Sequence, residues 1–172
     1  MKKYTTLAFF AMIFIVSCKK TGLNNDESAV PEKLTAQQID DFIRKTIEVQ
    51  HRFEWQTVND QMIWSALQES DNVLSVGYKP AGMDESSLKL EAIDINDDKW
   101  SNARKEVLDI ILTEEKKLNR NITLKEIIQW EEHVLPVIDV NVSSFLTIQK
   151  LRASNLVRYA EPMGYEPKEL AG

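Results

Sequence analysis

The chain has 172 residues, a formal net charge of −6, one cysteine and five glycines. An acidic chain without a basic stripe argues against a nucleic-acid partner, because neutralising phosphates is the main source of that affinity. So few glycines leave little material for a phosphate-cradling loop, and a single cysteine cannot form an internal disulfide.

Met1-Lys2-Lys3 supplies a positive start, and Leu7 to Val16 is an apolar run of roughly ten residues, too short to span a bilayer comfortably as a helix. The run ends in Ile15-Val16-Ser17-Cys18, a small residue directly before the cysteine. This resembles the lipobox of bacterial lipoproteins. The resemblance implies a signal peptide over 1–17, recognition through Ile15, Val16 and Ser17, cleavage before Cys18 and diacylation of its sulfur. The alternative is an ordinary secretory signal with a chance cysteine; charge, length and small residue together favour the lipobox. Lys19-Lys20 lacks the aspartate that favours inner-membrane retention, so the expected location is the bacterial cell envelope, lipid-anchored, with the outer membrane preferred.

Residues 18–33 are rich in Asn, Asp, Glu, Ser and Lys and have almost nothing to bury, which predicts a flexible tether. A helical extension is expected over 34–70. Thr35 and Gln38 form a capping-box pattern, and Ile39, Phe42, Ile43 and Ile47 fall on one helical face. A second helix is predicted from Asp60 to Glu69, with Met62, Ile63, Ala66 and Leu67 on its apolar side.

An α+β domain is expected over 71–166. Val73, Leu74, Val76 and Tyr78 are strand formers, and Pro80-Ala81-Gly82 ends their run. Lys99 to Asn119 carries Trp100, Ala103, Val107, Leu108, Ile111, Leu112 and Leu118 at helical spacing, and Asp97 or Asp98 is its expected cap. Thr123 and Glu126 form another capping box, which predicts a helix through Trp130, stopping before Pro136. Val137 to Val142 reads as a half-buried strand with Ile138, Val140 and Val142 inward. Ser143 or Ser144 caps a helix bearing Phe145, Ile148 and Leu151, and a strand follows from Leu156 to Ala160. Strand, helix, strand makes the two strands parallel if they share a sheet. The pattern predicts a small sheet with helices on one face and a second face that something else must cover.

Few residues suggest catalysis. Glu126, Glu131, Glu132 and His133 lack a second histidine at i+3 or i+4, and His51 is distant in sequence, so a solvated acidic helix end is the simpler reading. Asp94, Asp97 and Asp98 lack the glycine and terminal glutamate of a calcium loop. The four tryptophans suit core and rim packing better than a ligand cage. No cofactor or metal is expected.

The stretches Leu135-Pro136-Val137-Ile138-Asp139-Val140-Asn141-Val142, Leu146-Thr147-Ile148-Gln149-Lys150-Leu151 and Leu156-Val157-Arg158-Tyr159-Ala160-Glu161-Pro162 resemble the C-terminal half of the propeptide domain of subtilisin-like serine peptidases. Val73 to Pro80 is similar to that domain's first strand, and the helix from Lys99 would be its first helix. The resemblance implies a ferredoxin-like sheet of three or four strands with helices on one face, acting as intramolecular chaperone and temporary inhibitor of a subtilisin-like catalytic domain, in cis or in trans. It also implies that Glu161, Pro162, Met163 and Gly164 lead toward the peptidase cleft, with 167–172 as the exit segment. Two departures stand out: the family's second strand falls where Asn121 to Glu132 reads as a helix, and the 34–70 extension has no counterpart in the minimal domain. The chain contains no Asp-Thr/Ser-Gly, His-Gly-Thr or Gly-Thr-Ser motif, so it carries no triad of its own and reads as a precursor fragment lacking the catalytic domain. The alternative is a free-standing, non-enzymatic envelope lipoprotein that binds another protein.

Overall fold

A computed structural model describes residues 30–84, 86, 89 and 92–168. Within them the chain runs α1 (Ala36–Gln50), a 3-10 turn (Trp55–Thr57), α2 (Asp60–Glu69), β1 (Val73–Tyr78), α3 (Asp98–Leu118), α4 (Leu124–Ile127), β2 (Ile128–Glu131), β3 (Val137–Asn141), α5 (Phe145–Ala153) and β4 (Val157–Pro162). This is an α+β fold with an N-terminal helical extension. From β1 onward the order of elements is βαββαβ, interrupted only by the single turn α4. The sheet order is β2-β3-β1-β4, the split arrangement of ferredoxin-like domains. Since β1 is antiparallel to both β3 and β4, these two run parallel to each other with β1 between them. The β3-α5-β4 crossover therefore spans a strand rather than joining neighbours.

The expected helix through Trp130 is corrected. The Thr123–Glu126 capping box forms, but it starts one turn only, and Ile128–Glu131 then pairs with β3 as the fourth strand. Local capping sets the start of a helix but not its length. Here the β2–β3 pairing, with Glu131 opposite Ile138, stops α4 after Ile127. The sheet therefore has four strands rather than three.

Alternation divides the sheet into two faces. Leu74, Val76, Tyr78, Ile138, Val140, Val142 and Ala160 point into one core with Val107, Leu108 and Ile111 of α3 and Ile148 and Leu151 of α5. Each fully buried leucine or isoleucine there contributes about 1.5–3 kcal/mol. The same cluster takes in Ile39 and Ile43 of α1 and Met62, Ile63, Ala66 and Leu67 of α2, so the extension shares the core of the sheet domain. Helix α2 packs beside α5 and β4, where Asp60 pairs with Arg152 at 2.6 Å and the Trp64 indole donates to the Ser143 carbonyl at 3.0 Å. Phe42 and Ile47, read as part of the inward stripe of α1, are instead about half exposed. The buried stripe of α1 is only as wide as Ile39 and Ile43.

Two asparagines turn helix into strand. Asn72 before β1 and Asn155 before β4 both adopt left-handed backbone, which asparagine tolerates better than most residues. Helix α5 begins without a side-chain cap from Ser144. Its cap comes from α3: the buried Glu115 carboxylate accepts from the Ser143 and Ser144 amides at 3.1 Å each and from the Thr147 hydroxyl at 2.6 Å. Beside it, burial pushes the Glu114 carboxyl up, but hydrogen bonds and charge from Lys117 and Lys150 outweigh that and hold it below the usual range.

Candidate functional site

The second sheet face carries Val73, Ser75 and Gly77 from β1, Val137, Asp139 and Asn141 from β3, Tyr159 and Glu161 from β4 and Trp130 from β2, opposite in alternation to the core set. Among the described residues none of its apolar side chains joins the core cluster. The register lines up a row across all four strands: Trp130 opposite Asp139, Asp139 opposite Ser75, Ser75 opposite Glu161. The Tyr159 ring packs against Gly77, where an added Cβ would come within 2.3 Å of the ring, so only glycine admits it. The Arg158 guanidinium sits 5.4 Å from the centre of the same ring.

Across this face, from β2 to the turn after β4, Val73, Gln129, Trp130, Asp139 and Met163 line an open groove of about 460 Å³. Trp130 and Met163 are 49% and 51% exposed, whereas Asp139 is only 6% exposed. Despite that burial, Asp139 Oδ1 has no hydrogen-bond partner. Leaving a buried polar atom unpaired costs about 1–3 kcal/mol, so such a group in a folded chain is a feature to be explained. At the far end of the row, burial and the nearby Glu54 carboxylate push Glu161 above the ordinary carboxyl range. The face therefore combines exposed apolar surface with acidic groups held in poor solvation.

After Ala160 the chain continues along the sheet and then onto α1. Glu161 and Pro162 belong to β4, opposite Ser75 and Leu74, so the strand extends past Ala160. Met163 and Gly164 form the turn that follows, with the Met163 amide donating to the Val73 carbonyl. Beyond the turn the chain docks on α1. The Tyr165 hydroxyl donates to Asp40 Oδ1 at 2.7 Å, the Lys168 amide to Oδ2 at 3.2 Å, and the Tyr165 ring meets Trp55 edge to face. Burial and the Asp40 carboxylate push the Tyr165 phenol far above its ordinary range. Pro167 and Lys168 then line a groove with Ile43, Arg44 and Ile47.

Other residues singled out in the sequence have local roles. Glu126 completes the Thr123 cap, Glu131 accepts from Arg104 at 2.6 Å, and Glu132 accepts from the His133 amide. Among the described residues no three His, Cys, Asp or Glu side chains gather as metal ligands, and no helix is long and apolar enough to cross a membrane. Ile15, Val16, Ser17 and Cys18 lie outside the described residues. No signal in the sequence marked the groove beyond the polar residue Asp139 interrupting an apolar strand, and none marked the docking of Tyr165 on α1. No protein-family model matches the chain, nor does any curated protein or solved structure.

Proposed function

We propose that this chain is a protein-docking module whose bare sheet face meets its partner, held at the bacterial envelope through a lipid on Cys18. The observation that carries this reading is the division of the sheet. Every buried apolar side chain of its strands lies on the helix-covered face, while the opposite face leaves Trp130 and Met163 exposed around an unpartnered carboxylate. Exposed apolar groups gathered on one face mark interaction surfaces. The partner suggested by the sequence resemblance is a subtilisin-like catalytic domain, which the module would help to fold and then inhibit. The βαββαβ order with strand order β2-β3-β1-β4 supports that resemblance at the level of fold.

The docking of Tyr165 and Lys168 on α1 favours a second reading, a free-standing lipoprotein that binds another envelope protein without offering a segment to a cleft. Both are tested by measuring inhibition of the subtilisin-like peptidases encoded in the source genome by the full chain. Slow, tight inhibition is expected, at least tenfold weaker for Trp130→Glu, and weaker again when residues 163–172 are removed. Deletion from 163 spares the paired residues of β4. If every such peptidase is unaffected, the subtilisin-like partner is lost; if Trp130→Glu inhibits as well as the natural chain, docking through the sheet face is lost.

A further inference from the structure

The groove around Asp139 combines three properties that together specify a ligand. One oxygen of the Asp139 carboxyl group, Oδ1, is buried and accepts no hydrogen bond. Its walls are largely apolar, from Val73, Trp130 and Met163, with Gln129 at the side. A water molecule there would find few of the two to four polar partners that hold buried water in place. The groove is also open to solvent, but Oδ1 itself has almost no accessible surface, so a partner reaches it only when the groove's side chains shift aside.

A carboxylate in such surroundings is best completed by a cation carried on an apolar stem. We propose that the groove receives an arginine side chain of the docking protein, its guanidinium hydrogen-bonded to Asp139 and stacked against Trp130, its methylenes along Val73 and Met163. Guanidinium suits the site better than ammonium because it is planar, weakly hydrated and stacks on aromatic faces. Charge complementarity argues in the same direction. Glu161 lies on the same row as Asp139, Glu54 stands close to Glu161, and the chain carries a net charge of −6. Arg158, the cation on β4, is held over the Tyr159 ring. A protein rather than a small cation is the occupant because the groove runs into the rest of the bare sheet face, and its two exposed walls offer apolar surface that a small cation would leave uncovered.

This site rests on the reading of the bare face as a docking surface, and its test is independent of which protein docks. The full chain is titrated with the tripeptides Ac-Leu-Arg-Leu-NH2 and Ac-Leu-Gln-Leu-NH2 and with n-butylguanidinium chloride, following the indole NMR signal of Trp130, identified by its loss in Trp130→Phe. The arginine peptide is expected to shift that signal saturably. The glutamine peptide and n-butylguanidinium are each expected to bind at least tenfold more weakly. Asp139→Asn, and Asp139→Ser as a second variant, should weaken the arginine peptide at least tenfold while the other tryptophan signals stay in place. Absent arginine-peptide binding, equal binding of the arginine and glutamine peptides, or undiminished binding by a folded Asp139 variant would overturn the site. Equal binding of n-butylguanidinium and the arginine peptide would overturn the protein origin of the cation. If the arginine peptide binds but no peptidase is inhibited, the site stands and the subtilisin-like partner falls. If a peptidase is inhibited through the sheet face but the arginine peptide does not bind, the reverse holds.

Discussion

Replacing Glu115 by alanine should be among the most damaging single substitutions in this chain. The carboxylate has no solvent role: it is buried on α3 and serves the first turn of α5, accepting from two backbone amides and the Thr147 hydroxyl. Hydrogen bonds to a charged group contribute about 1.5–3 kcal/mol each when measured singly, but three bonds to one carboxylate act as a unit and do not add. Their loss also leaves the amides at the start of α5 without a cap and the buried Thr147 hydroxyl unpaired. Leaving the buried Ser144 amide and Thr147 hydroxyl without an acceptor costs about 1–3 kcal/mol each, about 3–5 kcal/mol together. At about 2–4 °C per kcal/mol for a chain of this size, the melting temperature should fall by roughly 6–20 °C. Urea denaturation followed by tryptophan fluorescence measures the change, and Thr147→Val in both backgrounds closes a double-mutant cycle. Glu115→Gln should recover only part of the loss, since an amide offers one acceptor oxygen and turns donors toward donors. A loss below about 1 kcal/mol for Glu115→Ala, or strict additivity with Thr147→Val, would refute the view that α3 supplies the cap of α5.

Two further outcomes are expected. Burial, with Glu54 adding to it, raises the Glu161 carboxyl above its ordinary value of 4.5, so the folded state binds that proton more readily than the unfolded chain and stability falls as pH rises through 4.5 to the folded value. Glu161→Gln should therefore raise the melting temperature at pH 7 and give no gain at pH 4; an equal gain at both would show that charge is not the cause. Cys18→Ala should move the protein from the membrane fraction to the soluble fraction or leave its leader uncleaved, as read by fractionation and intact mass. Unchanged, cleaved and membrane-bound protein would dispose of the lipid anchor.

Elements whose apolar residues repeat strongly were legible from the chain alone. Helix α2 falls at Asp60–Glu69 as its pattern of Met62, Ile63, Ala66 and Leu67 predicts, and α3, β1 and β3 fall within a residue of their expected ends. Strand β2 was not legible because its four residues follow a genuine capping box, and what makes them a strand is β3, brought alongside by the tertiary fold. The stripe of α1 misled in a different way: Phe42 and Ile47 have the right spacing, but the surface beneath α1 accommodates only Ile39 and Ile43. The bare face itself was foreseeable from Asp139 and Asn141 alternating with apolar neighbours. Its groove was not, because Met163, Trp130 and Val73 meet only once all four strands are in register.

The placement of β1 between β3 and β4 also dictates an order of assembly. The strand emerges early, yet both of its hydrogen-bonding edges are completed by segments made much later, the last of them Val157–Pro162. Until then β1 exposes unpaired edges, the kind of template that invites pairing with other chains. Closing loops of this length makes such a sheet a slow folder relative to helical domains of similar size. A ribosome releasing this chain therefore delivers β1 well before its last partner, and the sheet that α1 and α2 pack against is finished only when β4 arrives.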